Sequence, residues 1–145
     1  MKVLFITNLF PFPQNPISGI HITNRLKSLQ SLDMNFDVYG ITSKDTFGVK
    51  FLKKILSKTN ESTTDSFYEL DGVKYKYVNF SRNVIDIFNT KILKRNKLIE
   101  NSKEVAEDLF DKIKDNEFDI IHAHGMYNNS PAGLVAKLLS VLSRK

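Results

Sequence analysis

Apolar positions along this chain recur with two different periods. Over Lys2–Thr7 (KVLFIT) they run unbroken and are largely β-branched or aromatic, which predicts a strand buried on both faces and therefore central and parallel. Phe36–Thr42 (FDVYGIT) reads as a second strand, with a loop following over Ser43–Gly48. Phe67–Leu70 and Val73–Phe80 flank Asp71-Gly72, a pair that tolerates positive φ and so predicts a hairpin. Phe118–Ile121 opens a further apolar run that reads as a buried strand of a parallel sheet and continues through His122 and His124 to Gly125.

Helical spacing fills the intervals. Ile22, Leu26, Leu29 and Leu32 define a helix from Ser18-Gly19 to about Leu32. Phe51, Leu52, Ile55 and Leu56 form one face of a short helix whose other face is lysine. The longest helix is expected over Lys91–Asn116, on the stripe Leu98, Ser102, Val105, Leu109 and Ile113, widened by Ile99, Ala106 and Phe110. A last helix covers Gly133–Ser143, with Ser130 as N-cap and Pro131 at the first helical position. Thr59–Ser66 is a polar linker, and Ser81–Thr90 fits a helix, a lipid-facing segment or core equally well. Strand, helix, strand, helix, hairpin, helix, strand, helix is the order of an α/β sandwich with a mainly parallel sheet.

Composition narrows the picture. A length of 145 residues suits one domain, and 41% hydrophobic with 26% charged residues is globular. Without cysteine there is no disulfide framework and no thiolate metal site, which suits a reducing compartment. The first apolar run is too short for a signal peptide core or a membrane span. A net charge of +5 is concentrated in Lys50, Lys53, Lys54 and Lys58 and again in Lys91, Lys94, Arg95 and Lys97, both among large apolar residues. No nucleic-acid-binding motif accompanies these clusters, and an anionic membrane surface or a phosphorylated ligand explains them at least as well.

Candidate chemistry gathers at two places. His122 and His124 lie two residues apart on one strand, hence on one face, and the second stands at a strand tip before a glycine and the loop Met126–Asn129. In open α/β sheets ligands sit beyond such carboxyl ends. The other place is Asn8–Ser18 (NLFPFPQNPIS), a long loop punctuated by Pro11, Pro13 and Pro16 where a dinucleotide-binding fold would have a tight G-x-G-x-x-G turn. Ser18 and Gly19 open the following helix, where free amides and the helix dipole favour an anion. The plainer reading makes Ser18 only a cap and Gly19 only a turn residue. For the histidines, metal ligation lacks a third ligand beyond His21, and a hydrogen-bonded pair in the core is the default. The sequence has no Asp-x-Asp metal motif and no Gly-x-Ser-x-Gly elbow.

Three segments carry a resemblance. KVLFITNLFPFPQNPISGIHITNRLKSL (Lys2–Leu29), the hairpin DGVKYKYV (Asp71–Val78) and FDIIHAHGMYNNSPAGLVAKLLS (Phe118–Ser140) together resemble the N-terminal half of a GT-B glycosyltransferase of the retaining family 4 type. The resemblance implies residues 1–145 as a Rossmann-like, three-layer domain, one half of a GT-B architecture and shortened before its last strands. It implies the acceptor side of a nucleotide-sugar-dependent transferase making a polysaccharide, lipopolysaccharide or glycolipid. A separate C-terminal domain would bind the donor, and this chain alone would be inactive. By the same resemblance His124 would contact the reacting sugar as the catalytic residue. Gly19 and Ser18 would approach the donor phosphate or sugar, and Asn8, His122, Tyr127 and Asn128 would line the acceptor side, with His122 packing more than reacting. Ser18-Gly19 departs from the family's paired glycines, and His21-Ile22 from a segment that often contains glutamate. The expected partners are the donor-binding domain, a sugar or glycolipid acceptor and an anionic membrane surface, with no nucleic acid, no cofactor and no metal. The expected location is cytoplasmic, peripheral at the inner face of the membrane. The other function class kept open is a non-catalytic module that binds carbohydrate or protein.

Overall fold

A computed structural model describes residues 1–55, 66–91, 97–125 and 131–143. Its elements are β1 (Lys2–Thr7), α1 (Ile20–Gln30), β2 (Asn35–Asp45), α2 (Phe47–Ile55), β3 (Phe67–Leu70), β4 (Val73–Arg82), α3 (Val84–Lys91), α4 (Leu98–Ile113), β5 (Ile120–His124) and α5 (Ala132–Leu142). One five-stranded sheet has the order β3-β4-β2-β1-β5. Four strands are parallel, and only the β3–β4 hairpin at one edge is antiparallel. Asp71 (φ 52) and Gly72 (φ 78) form its turn, as the Asp-Gly pair predicts.

Two apolar layers flank the sheet, in the manner of a Rossmann-like sandwich. On one face Val3, Phe5, Val38, Tyr75 and Tyr77 pack under Ile22 and Leu26 of α1. On the other, Leu4, Ile6, Ile41 and Val78 pack under Val105 and Leu109 of α4 and Val135 and Leu139 of α5. Successive strand residues serve opposite faces, which is why β1 is apolar at every position from Val3 to Ile6. The hydroxyls of Thr23 on α1 and Tyr75 on β4 share a buried hydrogen bond of 2.7 Å, fixing the rotation of α1 on the sheet.

Several elements differ from the sequence reading. β2 continues through Ser43, Lys44 and Asp45, which pair with Phe80, Ser81 and Arg82, so the expected loop is largely strand. Asp45 drives this: its carboxylate takes Arg82 Nε at 2.8 Å and Lys53 Nζ of α2 at 2.5 Å. α1 ends at Gln30, and Leu32 lies exposed in the turn after it. The long helix begins at Leu98; a separate helix, α3, precedes it, and residues 92–96 lie outside the described residues. In α3 the Asn83 side chain accepts from Asp86 N at 2.9 Å while the Asp86 carboxylate accepts from Asn83 N at 3.0 Å, a reciprocal N-terminal cap. Ile99 falls outside the buried stripe of α4. β5 is an edge strand, not a fully buried one, because among the described residues only β1 pairs with it, and Ile120 stays 44% exposed. Finally, α5 starts at Ala132 with Pro131 as its N-cap, one position earlier in role than expected; Ser130 is outside the described residues.

Candidate functional site

The chain reverses direction across the sheet at β1. From β1 it proceeds outward to β2 and β4, then returns to place β5 on β1's other side. In a doubly wound sheet the crevice beyond the carboxyl ends of two such strands is where a ligand fits. Here those ends are Thr7 and His124, which pair directly in the parallel register. The helix following β1 and the helix following β5 leave towards opposite faces, which sets the two strand ends between them.

The loop leaving β1 is held by its own first residues. Thr7 Oγ1 donates to Leu9 O at 2.8 Å and accepts from Leu9 N at 3.0 Å, turning the chain immediately. Phe10 then tucks against Gly40 of β2 and the Tyr77 ring, anchoring the proline-bearing segment to the sheet. Asn8 has a bridging position. Its backbone N–H donates to His124 O at 3.1 Å, and its side-chain Oδ1 accepts from Ala132 N at 2.8 Å. Thus α5 is capped from a residue far away in sequence, a contact no local pattern could disclose. The side-chain oxygen expected to face an acceptor therefore has a structural partner.

Gly19 lies close by, as the N-cap of α1 in the left-handed conformation (φ 65). A Cβ there would meet the Leu9 carbonyl oxygen at 2.7 Å, so the fold itself requires glycine. This alters the expected argument, because the side on which its missing side chain leaves room is filled by the loop backbone. Ser18 is not the cap: no side chain caps α1, and Ser18 N donates to Asn15 O at 3.1 Å within the loop. Two amides of the helix start are also occupied, Ile20 N by Ile17 O at 3.2 Å and Ile22 N by Gly19 O at 2.8 Å.

His124 meets this helix start. Its ring stands 5.4 Å, centroid to centroid, from that of His21, tilted by 54°. Nδ1 of His124 is buried and has no hydrogen-bond partner among the described residues. Burial holds its pKa below the ordinary value, helped by the Arg25 guanidinium and by the unfavourable cost of a second cationic ring beside His21 and His122. The imidazole is therefore neutral at pH 7 and offers one nitrogen as donor and one as acceptor. His122, one step deeper on the same face, lies against the Phe5 ring at 4.9 Å between centroids, tilted by 47°. Tyr127 and Asn128 lie outside the described residues.

The structure thus brings Asn8, Gly19 and His124 to one rim of the sheet and adds His21 and Arg25, which the sequence reading did not assign to the site. Their signal was present: His21 and Arg25 are four apart, on one side of a helix that starts at the glycine. Among the described residues no group of three or more His, Asp or Glu side chains is arranged to hold a metal ion, and no helix is long and apolar enough to cross a membrane. No family model, no curated protein and no solved structure matches this chain.

Proposed function

We propose that the chain is the acceptor-side domain of a GT-B, retaining glycosyltransferase that uses a nucleotide-sugar donor, with His124 in contact with the reacting sugar. The observation that carries this reading is the convergence, at the β1/β5 crevice, of the α1 start with a neutral imidazole that has an unpartnered nitrogen. Glycosyl transfer passes through a cation-like sugar with a departing diphosphate. It needs positioned dipoles and hydrogen bonds more than a strong nucleophile. His124 suits that need, because with Nδ1 buried a neutral ring can share a hydrogen bond with a sugar hydroxyl through Nε2 without adding positive charge beside the developing cation. The donor half would be a second Rossmann-like domain facing this rim, so transfer is expected only when the two are joined.

The test has two arms. In a protein that joins this chain to a donor-binding domain, His124→Ala should lower kcat by roughly 100-fold or more at an unchanged Tm. Loss of folded protein with full activity in the remainder would make His124 a packing residue and end the reading. For the chain alone, the His124 and His21 ring resonances should shift on adding simple alkyl glycosides. If they respond to glycosides while the reading frame next to this chain encodes no donor-binding domain, the non-catalytic carbohydrate module takes its place.

A further inference from the structure

α2 and α3 leave the same rim of the sheet, after β2 and β4, and are not covered as their sequences would suggest. Phe47, Phe51 and Ile55, one stripe at i, i+4 and i+8, are 84%, 57% and 62% exposed, and the two phenyl rings stack on each other at 6.5 Å. Val49 is the residue by which α2 packs on its own domain. A short amphipathic helix ordinarily buries its apolar stripe; this one turns it outward. The stripe continues onto the neighbouring helix, since the open side of Gly48 lies against Val84 of α3, and there Ile85 is 67% and Phe88 52% exposed.

Two lysines flank the apolar stripe of α2. Lys50 and Lys54 stand beside the Phe47–Ile55 stripe, exposed, and no carboxylate among the described residues pairs with them. Among the described residues, the acid before α2 and the acid within α3 are already engaged: Asp45 with Lys53 and Arg82, Asp86 with Lys97. We infer that the α2–α3 face docks on an anionic lipid bilayer, its phenylalanines and isoleucines entering the acyl boundary and Lys50 and Lys54 meeting the headgroups. That arrangement of apolar side chains with flanking lysines is how an interfacial helix lies in a membrane. A second copy of the chain fits less well, because a two-fold interface would press the same lysines against each other. The inference stands whether or not the chain takes part in sugar transfer.

Vesicle flotation of the whole chain tests it, with phosphatidylcholine alone and with added phosphatidylglycerol. The wild type should float with the anionic vesicles and less with the neutral ones. Phe51→Gln with Ile85→Gln should lower the bound fraction roughly tenfold, as should Lys50→Glu with Lys54→Glu. Lys103→Glu, on the exposed side of α4, should leave it unchanged. All five positions are exposed, and melting curves of the variants should match the wild type. Equal recovery of the wild type in the soluble fraction with both lipids overturns the inference. So does an equal loss for Lys103→Glu, which would mean unspecific charge attraction. So too does a lipid-free dimer that the Phe51 and Ile85 variant dissolves while vesicles bind nothing.

Discussion

Gly19 and Asn8 separate what the fold needs from what a ligand could use. Gly19 combines a left-handed backbone with the Leu9 carbonyl at the place of a side chain. Gly19→Ala should therefore destabilise the chain by about 2 kcal/mol or more, measured by urea unfolding, before any question of ligand arises. Asn8 offers a finer test. Asn8→Ala removes the acceptor for Ala132 N–H and should cost about 1 kcal/mol, the usual loss of an N-cap. Asn8→Asp keeps an acceptor at the helix start, where negative charge is favoured, and should unfold close to the wild type. If both substitutions unfold equally early, the cap is not what Asn8 contributes.

Among the elements, the pattern of apolar residues and the Asp-Gly turn were enough to foretell β1, the hairpin and α5 nearly to the residue, because each is decided by local period or turn chemistry. What was not legible depended on partners distant in sequence. The end of β2 looked like a loop because Ser43, Lys44 and Asp45 are polar; it is strand because β4 extends beside it and Asp45 holds Arg82 and Lys53. The position of β5 at the edge is likewise a matter of pairing, which its apolar composition cannot express. In the candidate site the His-x-His spacing pointed to the end of β5, but the contact of His124 with His21 depends on the α1 start lying beside that strand end. The Asp45 cluster also yields a prediction. That carboxylate is 7% exposed, and burial would raise its pKa, yet the hydrogen bonds and charges of Lys53 and Arg82 hold it below the ordinary value. Asp45→Asn leaves two cations facing a neutral group and should cost about 2 kcal/mol in urea unfolding, discounted for the partial exposure of both partners. Because the cluster joins the ends of β2 and β4 to α2, amide exchange in α2 should quicken most. An unchanged exchange rate there would mean that Val49 alone seats the helix.

Across the whole molecule the two rims of the sheet hold titratable groups of different kinds, and pH should act on them separately. At the amino-terminal rim Asp37 of β2 lies between Lys2 of β1 (3.2 Å) and Lys76 of β4 (2.5 Å), a carboxylate shared by three strands. Burial would raise its pKa, but the two lysines more than offset this and lower it below 3.8. Such a group stabilises the fold fully above that ordinary value, and its contribution disappears as pH falls through the depressed one. At the carboxyl rim the relevant group is His124, whose pKa is lowered from 6.5 by burial and by neighbouring positive charge. The sign follows from proton counting: below 6.5 the unfolded chain binds a proton at this histidine that the folded chain refuses, so stability falls with decreasing pH there and is complete above it. Stability against pH should accordingly decline in two steps, one starting near pH 6.5 and one below pH 3.8. His124→Gln should flatten the upper step and leave the lower one, whereas Asp37→Asn should reduce the lower step only. Urea unfolding across the pH range reads both. An upper step that survives His124→Gln would show that the ring does not meet the α1 start as its contact with His21 requires, and the crevice would lose the neutral imidazole on which sugar transfer depends.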